Sequence, residues 1–172
     1  MVTMRTGVGV LVVLAWSALV LGGCAGRGEE TDNAEEAVPP YPASLSAQSS
    51  PSQVAAVLIQ GLDQGNDAVL QGLVAVKREI QAIDGIYRKH GKEHETPASD
   101  AARLTVSGWK ASYAWYQPGA THVTREVVKG DTATVWAQGL NPNTGRAREL
   151  TINMVWEDGV WKVAAGLQAR EL

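Results

Sequence analysis

His90-Gly91-Lys92-Glu93-His94 is the run whose residue types and spacing come nearest to metal chemistry. On a helix, positions i, i+3 and i+4 share one side, so two imidazoles and a carboxylate could converge on a zinc ion. The context opposes that use. Gly91 weakens a helix, Pro97 limits its extension, and 172 residues leave no room for a supporting peptidase domain. The stretch reads as a solvated polar loop, with weak metal binding through His90, His94 and Glu95 as the lesser alternative. No metal and no other cofactor is expected. The sequence contains no glycine-rich phosphate loop and no serine-nucleophile motif.

Cys24 is the sole cysteine, so no internal disulfide can form, and its position carries its meaning. Met1 to Arg5 is a short positive segment, and Gly7 to Leu21 is an uncharged apolar run. Leu21-Gly22-Gly23-Cys24 follows at once and resembles the bacterial lipobox, in which an aliphatic and two small residues precede the cysteine. About 15 apolar residues are short for a membrane span, which needs roughly 20. The segment therefore reads as a cleavable signal over residues 1–23. The resemblance implies a thioether-linked diacylglycerol on Cys24 and acylation of its freed amine. At about 0.8 kcal/mol per buried methylene, such chains hold the protein to the membrane permanently. The expected location is the extracytoplasmic side of the cell envelope. Ala25 follows the cysteine, and by resemblance to the usual sorting rule this points to the outer membrane in a cell that has one.

Residues 25 to 50 are rich in Glu, Ser, Ala and Pro and poor in large apolar residues. Such a composition buries too little surface to offset ordering entropy, so 24–49 is read as the lipidated cysteine and a flexible tether. Its acidic stretch, Glu29 to Glu36, reads as solvated. Without Arg5, 14 Lys+Arg face 18 Asp+Glu, a balance with no general attraction for nucleic acid.

One domain is expected over 50–172. Ser50, Pro51 and Gln53 form a helix-start signature, with a capping box and proline at the first helical position. Val54, Val57, Leu58 and Leu62 then share a helical face. Gly65 can end that helix, and Asn66 or Asp67 can cap the next, whose apolar positions run from Val69 to Ile83. A short helical piece is expected at Ile86 to His90. After Pro97 the pattern reads as strand: Ala102 to Trp109, Ala111 to Tyr116, Thr121 to Val128, Thr132 to Gln138, Arg148 to Trp156 and Val160 to Ala165. Asp158-Gly159 supplies a tight hairpin. Helices followed by hairpin-linked strands predict an α+β fold, with N-terminal helices packed on a curved antiparallel sheet in a cone-like arrangement.

The layout resembles the nuclear transport factor 2-like (cystatin-like) superfamily, in particular small bacterial lipoproteins carrying such a domain without assigned function. Three stretches carry the resemblance: the helix–break–helix of Val54 to Lys77; the strand entry Lys129-Gly130-Asp131-Thr132-Ala133-Thr134-Val135; and the closing hairpin Met154 to Val163, with its Glu157-Asp158-Gly159-Val160-Trp161 core. Enzymes of that superfamily use an Asp with a His or Tyr inside the cone, where desolvation raises the carboxylate pKa. The resemblance makes Asp84, Tyr87, Tyr113 and His122 the residues to locate. No catalytic assignment is made for any of them.

Phe is absent and Trp occurs six times. Trp109, Tyr113, Trp115, Tyr116, Trp136, Trp156 and Trp161 exceed what one small core readily holds, so the surplus, Trp115 and Trp136 among them, could line a pocket or cover the sheet face in a homodimer. The expected function is a non-catalytic, membrane-anchored lipoprotein that binds a protein partner or a small apolar ligand. A small cone-pocket isomerase, cyclase or hydrolase is the alternative, as is a structural subunit of an envelope assembly.

Overall fold

The structure, a computed structural model, describes residues 37–172. The expected signal segment, Cys24 and the tether as far as residue 36 lie outside the described residues.

The order is four helices, then five strands: α1 (Pro51–Gln64), α2 (Asp67–Gly72), α3 (Val76–Lys89), α4 (Ala98–Tyr113), β1 (His122–Lys129), β2 (Thr132–Leu140), β3 (Ala147–Glu157), β4 (Val160–Val163) and β5 (Gln168–Glu171). The fold is α+β, with the helices against one curved, open antiparallel sheet.

The expected first helix begins where its signature placed it. The Ser50 hydroxyl accepts from the Gln53 N–H at 3.3 Å, and the Gln53 side chain accepts from the Ser50 N–H at 2.7 Å. Gly65, at φ 63°, ends α1, and the Asn66 side chain caps α2 by accepting from Val69 N–H. The next helical stretch is broken. Leu73 to Ala75 leave helical pairing and run beside β4: Ala75 N–H donates to Val163 O at 2.9 Å, and Val163 N–H donates to Leu73 O at 2.8 Å. That contact covers the edge of the sheet that β4 would otherwise expose.

Ala102 to Tyr116 differs from the strand expectation: residues 98–113 form α4. Val, Thr, Trp and Tyr in this stretch favour strands by propensity. However, Ala101, Ala102, Thr105, Val106, Trp109 and Tyr113 are all buried, and their spacing puts them on one helical face. Burial of that face outweighs local preference.

The sheet runs β1-β2-β3-β4 in space, each pair antiparallel. β5 pairs with the start of β3, on the side where β4 pairs with its end. β4 and β5 are thus two segments of one edge strand, interrupted at Ala165-Gly166. The buried Glu79 carboxylate of α3 accepts the freed Ala165 N–H at 2.9 Å. Ala133, Val135 and Ala137 of β2, Leu150, Ile152 and Met154 of β3, and Trp161 and Val163 of β4 face the helices. They pack there with Val54, Leu58, Leu70, Leu73, Val106 and Trp109.

Packing does not begin at Ser50. Val38, Tyr41 and Leu45 lie partly buried against the core. The last part of the stretch assigned to the tether is therefore a strap on the domain. Its path needs Gly72, where an added Cβ would run into the Pro40 carbonyl oxygen.

Gly139 of β2 is equally confined, since a Cβ would strike the Thr121 hydroxyl and come within 2.9 Å of Tyr116 Cδ1. Gly139→Ala should lower the unfolding free energy by about 1–3 kcal/mol, the usual cost of overpacking. Urea unfolding checks this, and an unchanged midpoint would contradict the tight approach.

Candidate functional site

The positions where a cone cavity would lie are filled. Trp109, Leu58, Leu70, Leu73, Leu150, Ile152 and Met154 pack there, each almost without solvent exposure. Apolar-walled clefts with a few polar groups open instead at the rim, where α1 and α4 end and β1 begins.

Asp63 is in the last turn of α1, and Tyr113 is the last residue of α4. The Tyr113 hydroxyl donates to Asp63 Oδ1 at 2.8 Å. Burial pushes the Tyr113 phenol well above its ordinary pKa, and the Asp63 carboxylate adds to the shift, so Tyr113 is a neutral donor at any physiological pH. Its ring stacks on Tyr116, with centroids 5.2 Å apart and planes 9° from parallel. Tyr116 is fixed in turn, because its hydroxyl donates to the buried Glu149 O at 2.8 Å.

Two clefts open beside this pair. One, of about 480 Å³, has walls of Leu62, Tyr113, Tyr116, Pro118 and Pro142, with Lys110 at its border. Lys110 is ion-paired with Asp67. The other, of about 390 Å³, is lined by Ile59, Gln60, Asp63, Thr121, His122 and Val123. Asp63 stands between them, bonded to a wall of one and lining the other. Apolar walls around a few placed polar groups suit a small ligand with an apolar body and one hydrogen-bonding end.

Of the six residues singled out from sequence, only Tyr113 and His122 come to this rim. Asp84 and Tyr87 are on α3, beside a separate polar cleft of about 520 Å³ lined by Asp84, Arg88, Glu93, His94 and Glu95. There Asp84 Oδ1 accepts from the Thr96 hydroxyl at 2.6 Å and the Thr96 N–H at 3.1 Å, fixing the loop that leads into α4. The Tyr87 and His94 rings are in contact, with centroids 4.0 Å apart and planes tilted by 35°. Trp115 is 53% exposed just beyond α4. Trp136 is on the outer sheet face, where the Arg125 guanidinium sits 3.8 Å from its ring centroid.

The H-x-x-E-H run is not on a helix, because α3 ends at Lys89 and Gly91 takes φ 69°. Among the described residues, no group of three or more His, Cys, Asp or Glu is placed to hold a metal ion. The seven aromatics divide: Trp109, Tyr113, Tyr116 and Trp161 are buried, while Trp115, Trp136 and Trp156 keep surface exposure.

Sequence reasoning missed Asp63. It sits in Asp63-Gln64-Gly65-Asn66, a run read only as a helix break. Its partner lies 50 positions away at the end of a helix read as strand, so no local pattern linked the two. No helix among the described residues is long and apolar enough to cross a membrane. No family model matches the chain, and a search of curated proteins finds no match either.

Proposed function

We propose that this protein is an envelope lipoprotein, held to the membrane by acylated Cys24, whose α+β domain binds a ligand at its rim without catalysis. The lipobox-like Leu21 to Cys24, placed directly after an apolar run, supports the anchor. The likeness of the layout to nuclear transport factor 2-like domains fits a binding role, although fold likeness alone assigns none. The observation that carries the binding site is the contrast between a filled interior and two apolar-walled clefts around the Asp63–Tyr113 pair. The ligand class is a small amphiphile, or a peptide side chain of like character, with a polar end that reaches Asp63 or His122.

Two measurements test this. Replacing Cys24 with Ser should abolish palmitate labelling and move the protein out of the membrane fraction; labelling that persisted would end the lipoprotein reading. For the rim, amphiphilic compounds are screened by thermal shift against the wild-type chain and against Ala114→Trp, which places a large ring in the cleft beside Tyr113. Stabilisation should occur in the wild type and disappear in the variant. Compounds that stabilise both equally would place the site elsewhere.

A further inference from the structure

The cleft between α1 and the start of β1 carries an uncompensated negative charge. Ala56, Ile59, Gln60 and Asp63 of α1 line it with His122 and Val123, around a volume of about 390 Å³. Among the described residues no lysine or arginine lines it. Apart from the His122 imidazole, the Asp63 carboxylate is the one ionisable side chain there.

Nothing within the domain neutralises that carboxylate. Its Oδ1 accepts from the Tyr113 hydroxyl at 2.8 Å, and the phenol is held in its neutral form by burial. No ion pair among the described residues involves Asp63. Lys110, at the border of the neighbouring cleft, is paired with Asp67. Asp63 also stands in the last turn of a 14-residue helix, and that turn contains no basic residue. The negative end of the helix dipole therefore adds to the field of the carboxylate instead of offsetting it. A half-buried carboxylate beside apolar walls, with one oxygen fixed by a neutral donor, lacks the cation that ordinarily accompanies such a charge.

The walls define the rest of the ligand. Ile59 is buried and Val123 half-buried, so apolar surface lies next to the carboxylate. Ala56 is seven residues before Asp63 on α1, a rise of about 10 Å, which is the reach of a short alkyl chain. An anionic headgroup in the same place would meet like charge.

We propose that this cleft selects a protonated primary amine on a short aliphatic chain, with the ammonium donating to Asp63 and the chain lying along Ile59 and Val123 towards Ala56. This deepens the rim binding proposed above and rests on it, and it is independent of the anchor at Cys24.

The probes are octylammonium, 1-octanol and octanoate, with methylammonium as the control for charge without an apolar body. Affinities are measured by calorimetry on the full chain carrying Cys24→Ser, without detergent, at pH 8, where an ordinary imidazole is uncharged and an alkylamine is protonated. Octylammonium should bind about tenfold more tightly than octanol, as a charge-assisted hydrogen bond provides. Octanoate should bind more weakly than octanol, and methylammonium should not bind measurably. Asp63→Asn keeps an oxygen for the Tyr113 hydroxyl and removes the charge, so it should bring the octylammonium-to-octanol affinity ratio close to one. Gln60→Lys, at an exposed position one turn before Asp63, supplies an internal cation and should do the same, which keeps the test decisive if the substitution at 63 does not fold. Octanol or octanoate binding as tightly as octylammonium would overturn the amine selectivity and leave rim binding standing. Methylammonium binding as tightly as octylammonium would overturn the role of the apolar walls and with it the proposal. A preference for octylammonium that survived both substitutions would overturn the assignment to this cleft. Absence of binding by all four probes would overturn the proposal, and the amphiphile screen against Ala114→Trp would then decide the rim reading by itself.

Discussion

Trp109→Ala should destabilise the domain by about 3–5 kcal/mol, the range for deleting a large buried aromatic. Trp109 is 1% exposed and lies on the face of α4 that packs against the sheet. Its ring occupies the space where a cone pocket would open, so alanine leaves a cavity that the surrounding Leu, Ile and Met side chains can close only in part. Trp115 serves as the comparison. It is 53% exposed, and Trp115→Ala should stay within about 0.5 kcal/mol. Trp109→Phe sharpens the test, because the buried indole Nε1 has no hydrogen-bond partner among the described residues. Phenylalanine keeps most of the packing and removes the unpaired donor, so it should cost much less than alanine. Urea midpoints for the three variants decide the matter. Equal midpoints for the alanine substitutions at 109 and 115 would mean that the interior is not filled as described.

The same residue shows where local sequence reading loses its power. The start of α1 was legible because the capping box is a four-residue signal completed within itself, from Ser50 to Gln53. The closing hairpin was legible for a similar reason. Asp158-Gly159 joins strands in which Trp156 faces Trp161 across the register, and their rings meet edge to face at 5.2 Å. For α4 the signals conflicted. Thr105, Val106, Trp109 and Tyr113 favour strands one by one, and only their common burial on a helical face reveals the helix. β5 gave no signal at all: Gln168 to Glu171 is polar, and it pairs with β3 through backbone groups that any sequence possesses.

The site was less legible than the fold for a related reason. Clefts form where elements end, and the ends of α1 and α4 meet only through packing that spans the whole domain. Tyr113 and His122 were found as residue types suited to chemistry. Asp63, which organises Tyr113, was hidden in a turn. Asp84 and Tyr87 have a structural task on α3, where their partners Thr96 and His94 belong to the loop that follows. An acid and a phenol three positions apart on a helix look alike in sequence whether they face a ligand or a neighbouring loop.

The strap makes the second large prediction. In the chain carrying Cys24→Ser, deleting residues 38–45 should cost about 2–4 kcal/mol, whereas deleting 25–36 should leave the melting temperature unchanged. Composition alone assigns both segments to a tether, but their contacts distinguish them. Val38, Tyr41 and Leu45 are partly buried against the core. The Tyr41 hydroxyl donates to Trp161 O at 3.0 Å. Lys162 donates from Nζ to Gly72 O at 2.6 Å, with the Tyr41 ring centroid 4.6 Å from the same nitrogen. Three half-buried apolar side chains and one hydrogen bond outweigh the cost of ordering a short segment that already contains three prolines. For a domain of this size the loss should lower the melting temperature by roughly 5–15 °C. Tyr41→Phe isolates the hydroxyl and should cost about 1 kcal/mol. Burial raises the Tyr41 phenol from 10.0 to about 12. The folded state thus holds that proton more tightly than the unfolded chain, so the contribution is complete below pH 10 and is lost as pH rises towards 12. Tyr41→Phe should lack that part of the alkaline loss. Equal melting temperatures for the two deletions would mean that the strap rests on the domain without stabilising it.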